Sequence, residues 1–250
     1  MNPKQSIPLM FTIGALLAGF ASMVMSAAGE FIQAAQFIML SMILDGLDGT
    51  IARRLKATST FGAEFDTFVD FSSFGLAPAM LAYQTVFHRF GIWGFFIVSP
   101  ILICGASRLA RFRMVDPFRG QKGYLGLPIT TAAGWIALFV FVASTGVLDE
   151  EWFSLSSGPV AAFGWGAALV MCGLEISRVH YGKPTKDPVA QIVSVVLVTL
   201  LFFDARAAVP AAITLLGFGF MYAFISPLRH RREIDVPDEE EEEEPVSVHH

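Results

Sequence analysis

Charge is scarce in this chain, cysteine nearly absent, and no stretch is left over for a separate soluble domain. Only 16% of its 250 residues are charged, against about 25% in ordinary soluble domains. So few charges exclude a water-covered globule of this size. The two cysteines, Cys104 and Cys172, both stand in apolar stretches. Their spacing suits neither a zinc site nor a disulfide framework, so both are expected to be small core residues. No small-residue cleavage site with a soluble domain follows the apolar run after Lys4, so that run is expected to be a retained first span. His88 and His180 are isolated near span ends and are expected to be interfacial, and His249 and His250 are given no metal role. Nothing points to a nucleic-acid partner.

Apolar residues are abundant: 54% of the chain, with 24 Phe and 22 Gly and a mean hydropathy of +0.58. Small residues let membrane helices approach closely, and a membrane helix needs roughly 20 mostly apolar residues. Eight segments meet that need, near 8–28, 31–50, 68–87, 91–110, 125–147, 158–177, 188–203 and 207–226. The expected fold is an all-α integral membrane bundle of about eight transmembrane helices. The net charge of −5 comes from an acidic run at Asp238 and Glu239 to Glu244. Such a run repels itself and stays solvated. The expected organisation is a transmembrane domain over 1–228 and a disordered, basic-then-acidic tail over 229–250.

With the N-terminus in the cytoplasm, the cytoplasmic loops collect Lys4, Arg53, Arg54, Lys56, Arg108, Arg111, Arg113, Arg119, Lys122, Arg178, Lys183, Lys186, Arg229, Arg231 and Arg232. Only Arg89 and Arg206, of the 17 basic residues, fall on the far side, together with Asp149, Glu150 and Glu151. That bias fits the positive-inside rule with both termini inside.

Against that background four aspartates stand out, at the cytoplasmic ends of the second and third expected spans. Asp45 and Asp48 are three apart and Asp66 and Asp70 four apart, so each pair shares a helix face. Four converging carboxylates repel by several kcal/mol in a low dielectric unless cations or protons intervene. Oxygen-only ligands favour Mg²⁺, Mn²⁺ or Ca²⁺ over zinc, and acids inside a membrane usually mark function. Gly49 and Gly62 leave room for a ligand near the backbone, and Ala52 keeps the same face low. Arg53, one turn beyond Gly49, can fork onto a phosphate, and Ser59 or Thr58 can bind a phosphate oxygen. The combination suits a pyrophosphate substrate. A metal-coupled transporter would also use an intramembrane acidic site, but it leaves Ala52, Arg53 and the second glycine unexplained.

The run Asp45-Gly46-Leu47-Asp48-Gly49-Thr50-Ile51-Ala52-Arg53, followed after eight residues by Gly62, then Asp66 and Asp70 at intervals of four, resembles the signature of the CDP-alcohol phosphatidyltransferases, D-x-x-D-G-x-x-A-R, a spacer, and G-x-x-x-D-x-x-x-D. The resemblance implies that Asp45, Asp48, Asp66 and Asp70 ligate divalent metal, Mg²⁺ or Mn²⁺ and commonly two ions. It implies that Asp70 takes the proton of the acceptor alcohol, and that Gly49, Arg53 and Ser59, with Ala52 and Gly62, hold the CDP-lipid. It also implies a homodimer in the cell membrane, with its active site at the cytoplasmic face.

Beyond the signature, Asp70-Phe71-Ser72-Ser73-Phe74-Gly75-Leu76-Ala77-Pro78 resembles the phosphatidylserine synthase branch, as do Ser107-Arg108-Leu109-Ala110-Arg111-Phe112 and Tyr124-Leu125-Gly126-Leu127-Pro128. The similarity covers roughly 8–135. It departs at Leu9, where Asn is usual, and at Ile129-Thr130, where a second Pro is common. CDP-diacylglycerol and L-serine are the implied substrates; glycerol phosphate, inositol phosphate, choline or an ether-lipid donor are the alternatives. Arg108 and Arg111 can meet the serine carboxylate, and Phe74-Gly75 can admit a small acceptor. Glu175 is expected to pair with Arg178 on its own helix.

Overall fold

The computed structural model describes residues 3–57, 59–115, 124–149, 153–182 and 188–234. Outside them lie Thr58, Arg119, Lys122, Glu150, Glu151, Lys183, Lys186, the acidic run from Asp238 to Glu244, and His249 and His250. The described helices are α1 (Pro3–Ala28), α2 (Phe31–Leu55), α3 (Thr60–Asp70), α4 (Ala77–Thr85), α5 (Ile92–Val115), α6 (Ile129–Ser144), α7 (Gly158–Ile176), α8 (Pro188–Leu200) and α9 (Ala205–Ile234). A π-helical turn, Phe71–Leu76, joins α3 to α4, and a 3-10 turn, Phe87–Phe90, precedes α5.

The all-helical expectation holds. Five helices are long and apolar enough to cross a bilayer: Ser6–Ala28, Phe31–Leu55, Ile92–Met114, Gly158–Ile176 and Arg206–Pro227. Their outer faces carry exposed Met10, Leu17, Phe20, Trp93, Phe163 and Phe218, as lipid-facing helices do. The chain is a multi-pass membrane protein. The remaining three expected spans are shorter or interrupted: the third is broken by the π-helical turn, α6 has 16 residues and α8 has 13. The fifth expected span begins late because Gly126 sits at φ 81° and Pro128 caps α6. At the other end α9 runs to Ile234, past the boundary expected at 229.

Helix α6 is the centre of the bundle. Every residue from Ala132 to Val142 is buried, as expected of a helix that is apolar all round. It packs on α2, α4, α7 and α9. The joint core is rich in alanine, with Ala34 and Ala35 on α2, Ala133 and Ala137 on α6, and Ala208 and Ala212 on α9. Such residues bring helix axes close. Between α6 and α7 the Trp135 indole donates to the Gly164 carbonyl at 2.9 Å.

Helices α1 and α2 form a hairpin. Gly29 takes a left-handed conformation (φ 81°) and the Glu30 amide returns to the Met25 carbonyl at 2.9 Å, closing α1 as a glycine C-cap does. One turn of α1 then fixes two other elements. The Ala15 carbonyl accepts from Ser41 of α2 at 2.8 Å and from Ser73 of the π-helical turn at 3.2 Å. Gly19, one turn further on, makes room for this: a Cβ there would stand 2.9 Å from the Ser73 Cα.

Loops are tied by a short clasp absent from the all-helical expectation. Tyr124 pairs antiparallel with Tyr181 and Leu125 with His180. The Tyr181 hydroxyl donates to the Ala223 carbonyl at 3.1 Å and the Tyr222 hydroxyl to Gly182 at 2.9 Å. The loops before α6 and after α7 are thereby fastened to α9.

Replacing Gly19 by Val should overpack the contact with Ser73 and destabilise the protein by about 1–3 kcal/mol. Thermal melting in detergent is expected to fall relative to wild type. Gly217→Ala, at a position with nothing within 4 Å of the added carbon, serves as the control. Equal melting of the Gly19 variant and wild type would show that the α1 contact is loose.

Candidate active site

Helix α2 carries Asp45 and Asp48, and α3 carries Asp66 and Asp70. Between them the chain reverses in four residues. Lys56 caps α2 in a left-handed conformation, φ 50°, and the Ala57 amide donates back to the Ala52 carbonyl at 3.0 Å. Ser59 then caps α3, its hydroxyl oxygen accepting from the Gly62 amide at 3.0 Å. Past this reversal the acid pair of α3 comes close to the acid pair of α2.

Ligand oxygens of Asp45, Asp48 and Asp66 lie within 4.8 Å of one another. The Asp70 carboxyl is not one of that trio, but it approaches the Asp45 carboxyl, as Asp66 does from its other side. Asp48 is 6% exposed. One of its oxygens, Oδ2, and one of Asp70, Oδ1, are buried with no hydrogen-bond partner. At such separations each pair of carboxylates repels by roughly 3 kcal/mol at an effective dielectric near 20. An all-oxygen cluster with unsatisfied lone pairs fits a hard divalent cation, and Asp45, Asp48 and Asp66 can hold one.

Thr12 supports the cluster from α1. Its hydroxyl is within hydrogen-bonding reach of the Asp48 carboxyl, as is the Gly49 amide. A lone threonine in an apolar helix gives little signal in the sequence. Ser41, which sets α2 on α1, gives none, and Ser73, which sets the π-helical turn there, has only its place in the run that resembles the phosphatidylserine synthase branch.

The residues assigned to the CDP-lipid surround the same reversal. The Arg53 guanidinium folds back along its own helix, with Nη2 donating to Thr50 Oγ1 at 3.3 Å. Gly49 leaves it space, since a Cβ there would stand 3.3 Å from Arg53 Nη1. Gly62 does the same for the Ser59 hydroxyl at 3.1 Å. Ser59 therefore accepts as a helix cap, and its hydroxyl proton stays available to a phosphate. Ala52 is partly buried on the same stretch of α2. Across the opening, Glu64 of α3 forms an ion pair with Arg113 of α5.

The acceptor-side expectations divide. Phe74 is 1% exposed and belongs to the core cluster, while Gly75 makes room for the Phe71 ring at 3.1 Å; the structure places both in packing. Arg111, expected at the acceptor carboxylate, meets main-chain carbonyls here. Its Nη1 donates to the Ile176 carbonyl at 2.7 Å, and its Nη2 reaches the carbonyls of Leu125, Glu175 and Ser177 at 2.9 to 3.1 Å. The end of α7 leaves carbonyls without helical partners, and a planar five-donor group satisfies several of them together. Arg108, one turn before it, is 7% exposed, lies 6.0 Å from the Phe112 ring centroid, and is within electrostatic range of Asp70. Glu175 also departs from expectation: it turns inward towards Arg108 rather than outward to Arg178.

Comparison with known proteins agrees with this geometry. The sequence model of the CDP-alcohol phosphatidyltransferase family matches residues 5–173. A CDP-diacylglycerol–serine O-phosphatidyltransferase of Helicobacter pylori is 31% identical over 228 residues, 90% of this chain and 92% of the relative. A protein of the same name from Bacillus subtilis is 33% identical over 54% of this chain and 75% of its own length. The archaetidylserine synthase of Methanothermobacter thermautotrophicus is 32% identical over 56% of this chain and 61% of its own. With its paired aspartates converging between α2 and α3, the chain belongs to the CDP-alcohol phosphatidyltransferase family.

Proposed function

We propose that this phosphatidyltransferase moves the phosphatidyl group of CDP-diacylglycerol onto L-serine, giving phosphatidylserine and CMP. The convergence of Asp45, Asp48 and Asp66, with Asp70 adjoining them, carries the reading. The names of its relatives in H. pylori and B. subtilis support serine as the alcohol.

In this reading Asp45, Asp48, Asp66 and Asp70 hold Mg²⁺ or Mn²⁺, with two ions implied by the family resemblance. A bound divalent cation supplies positive charge against the pyrophosphate oxygens and the charge that develops in transfer. The chain's own groups do the rest. Arg53, released from Thr50, forks onto a phosphate, and the Ser59 hydroxyl donates to another phosphate oxygen while still capping α3. Asp70 accepts the proton of the serine hydroxyl. That oxygen bonds to the lipid-side phosphorus, the bond from this phosphorus to the bridging oxygen breaks, and CMP leaves with the electron pair. Arg108, beside Asp70, meets the serine carboxylate.

The positive-inside distribution puts these groups at the cytoplasmic face with both termini inside, where soluble serine enters and CMP departs. Eight crossings complete the topology, with the rod over 60–85, α6 and α8 added to the five long spans, and a transmembrane domain over 1–228. The family resemblance adds a homodimer. Similarity to archaetidylserine synthase favours one second reading, which keeps serine and changes the lipid of the donor.

Membranes carrying the protein should release CMP and form phosphatidylserine from CDP-diacylglycerol and labelled serine. Chelation should stop both, and Mg²⁺ or Mn²⁺ should restore them. No product from serine, with product from glycerol phosphate, inositol phosphate or choline, would sink the serine assignment. Product only from an archaeal-type CDP-lipid would select the second reading. Asp70→Asn should lose about 10²–10⁴-fold in turnover, the usual worth of a general base, while still inserting in the membrane; wild-type rates would refute the base assignment. Arg108→Lys should raise the KM for serine, since an ammonium cannot fork onto a carboxylate. Arg111→Lys should instead lower the melting temperature with serine KM unchanged. The reverse pattern would return Arg111 to the acceptor.

A further inference from the structure

Glu175 is the most deeply buried acid among the described residues, 2% exposed, and its Oε2 has no hydrogen-bond partner. It sits in the last turn of α7, where the helix dipole disfavours a negative charge. A buried carboxylate in that position is costly unless a cation faces it. Its neighbours on α5 are Cys104, Gly105 and Arg108. Cys104 offers no charge, and Gly105 no side chain. Arg108 alone of the three offers compensation, and it also lies within electrostatic range of Asp70.

The backbone fixes the two residues against each other. Arg111, one turn after Arg108 on α5, donates to the carbonyls of Glu175, Ile176 and Ser177. The register between α5 and the end of α7 is therefore held by the neighbouring turn. Packing is close at this level. A Cβ at Gly105 would stand 2.7 Å from Ile129 of α6 and 3.9 Å from Glu175 Oε2. Residue 175 also lies past position 173, where the family match ends.

We propose that Glu175 is a positioning residue that holds the Arg108 guanidinium in the orientation facing Asp70 and the acceptor. Arginine is long and has many rotamers, so a fixed carboxylate behind it reduces the ordering left to be done when an acceptor arrives. The inference rests on the assignment of Arg108 to the acceptor. Its effect belongs in acceptor binding and not in binding of the CDP-lipid, which lies on α2 and α3.

The test uses purified full-length protein in detergent or liposomes, with CMP release followed against each substrate, the acceptor being whichever alcohol the wild type turns over. Glu175→Gln should raise the acceptor KM about tenfold, with the donor KM unchanged, and Glu175→Asp should fall between it and wild type. The double variant E175Q/R108K should be no worse than R108K, because the two residues act as one unit. A wild-type acceptor KM in E175Q, or losses that multiply in the double variant, would overturn the proposal. If E175Q does not accumulate as folded protein, E175D decides: a raised acceptor KM alone supports the role, and no change or equal losses for both substrates refute it. R108K with an unaltered acceptor KM would instead remove the assignment of Arg108 itself, so the two failures are distinct.

Discussion

The carbonyl oxygen of Ala15 accepts two hydrogen bonds from different elements, one from Ser41 on α2 and one from Ser73 in the π-helical turn. Ser41 lies one turn before Asp45, and Ser73 one turn after Asp70. A single peptide group of α1 therefore serves as the common reference for both helices that carry acids. Between lipid-facing helices there is little hydrophobic force to align them, so direct polar contacts and close packing must set the register. Gly19 permits that packing, because any side chain there meets the backbone at Ser73.

Given that reference, the acid cluster becomes possible. Carboxylates gathered near one point push α2 and α3 apart, and a loose connection would relieve the repulsion by separating them. The Schellman-type turn at Lys56 and the Ser59 cap shape the reversal, and the Glu64–Arg113 ion pair ties α3 to α5. The exposed ion pair adds little by itself; the caps and the Ala15 contact carry more. The π-helical turn begins directly after Asp70. An inserted residue of this kind re-aims side chains on either side, which is why such turns recur at functional sites.

The aspartate pairs are legible in the sequence because helical spacing is enough to place them on a face, and the signature joins them to a known chemistry. The helical bundle is legible for a similar reason, since hydropathy reports local burial. Partners across the fold are another matter. Arg111 and Arg108 sit three apart on one helix and look equivalent in sequence, yet three of the four carbonyls that claim Arg111 come from residues about 65 positions away. Glu175 has Arg178 at an inviting spacing, but the interior offered a cation on α5. Gly62 reads as room for a ligand and turns out to make room for a cap. The late start of α6 escaped because a two-residue clasp with His180 and Tyr181 has no periodicity to detect.

A bilayer makes each buried polar group expensive, and that cost sorts the residues here by where their partners lie. Arg111 finds its partners in peptide groups of the chain, most of them at the end of α7. Asp45, Asp48 and Asp66 find one another, which satisfies nothing, since ionised carboxylates are acceptors only. Such a grouping needs protons or a cation to offset its repulsion. Glu175 and Arg108 stand between these cases: each lies within electrostatic range of the other, and Arg108 also within range of Asp70. Arg111 bonds to peptide groups and Arg108 lies among acids, although the sequence presents them as a pair.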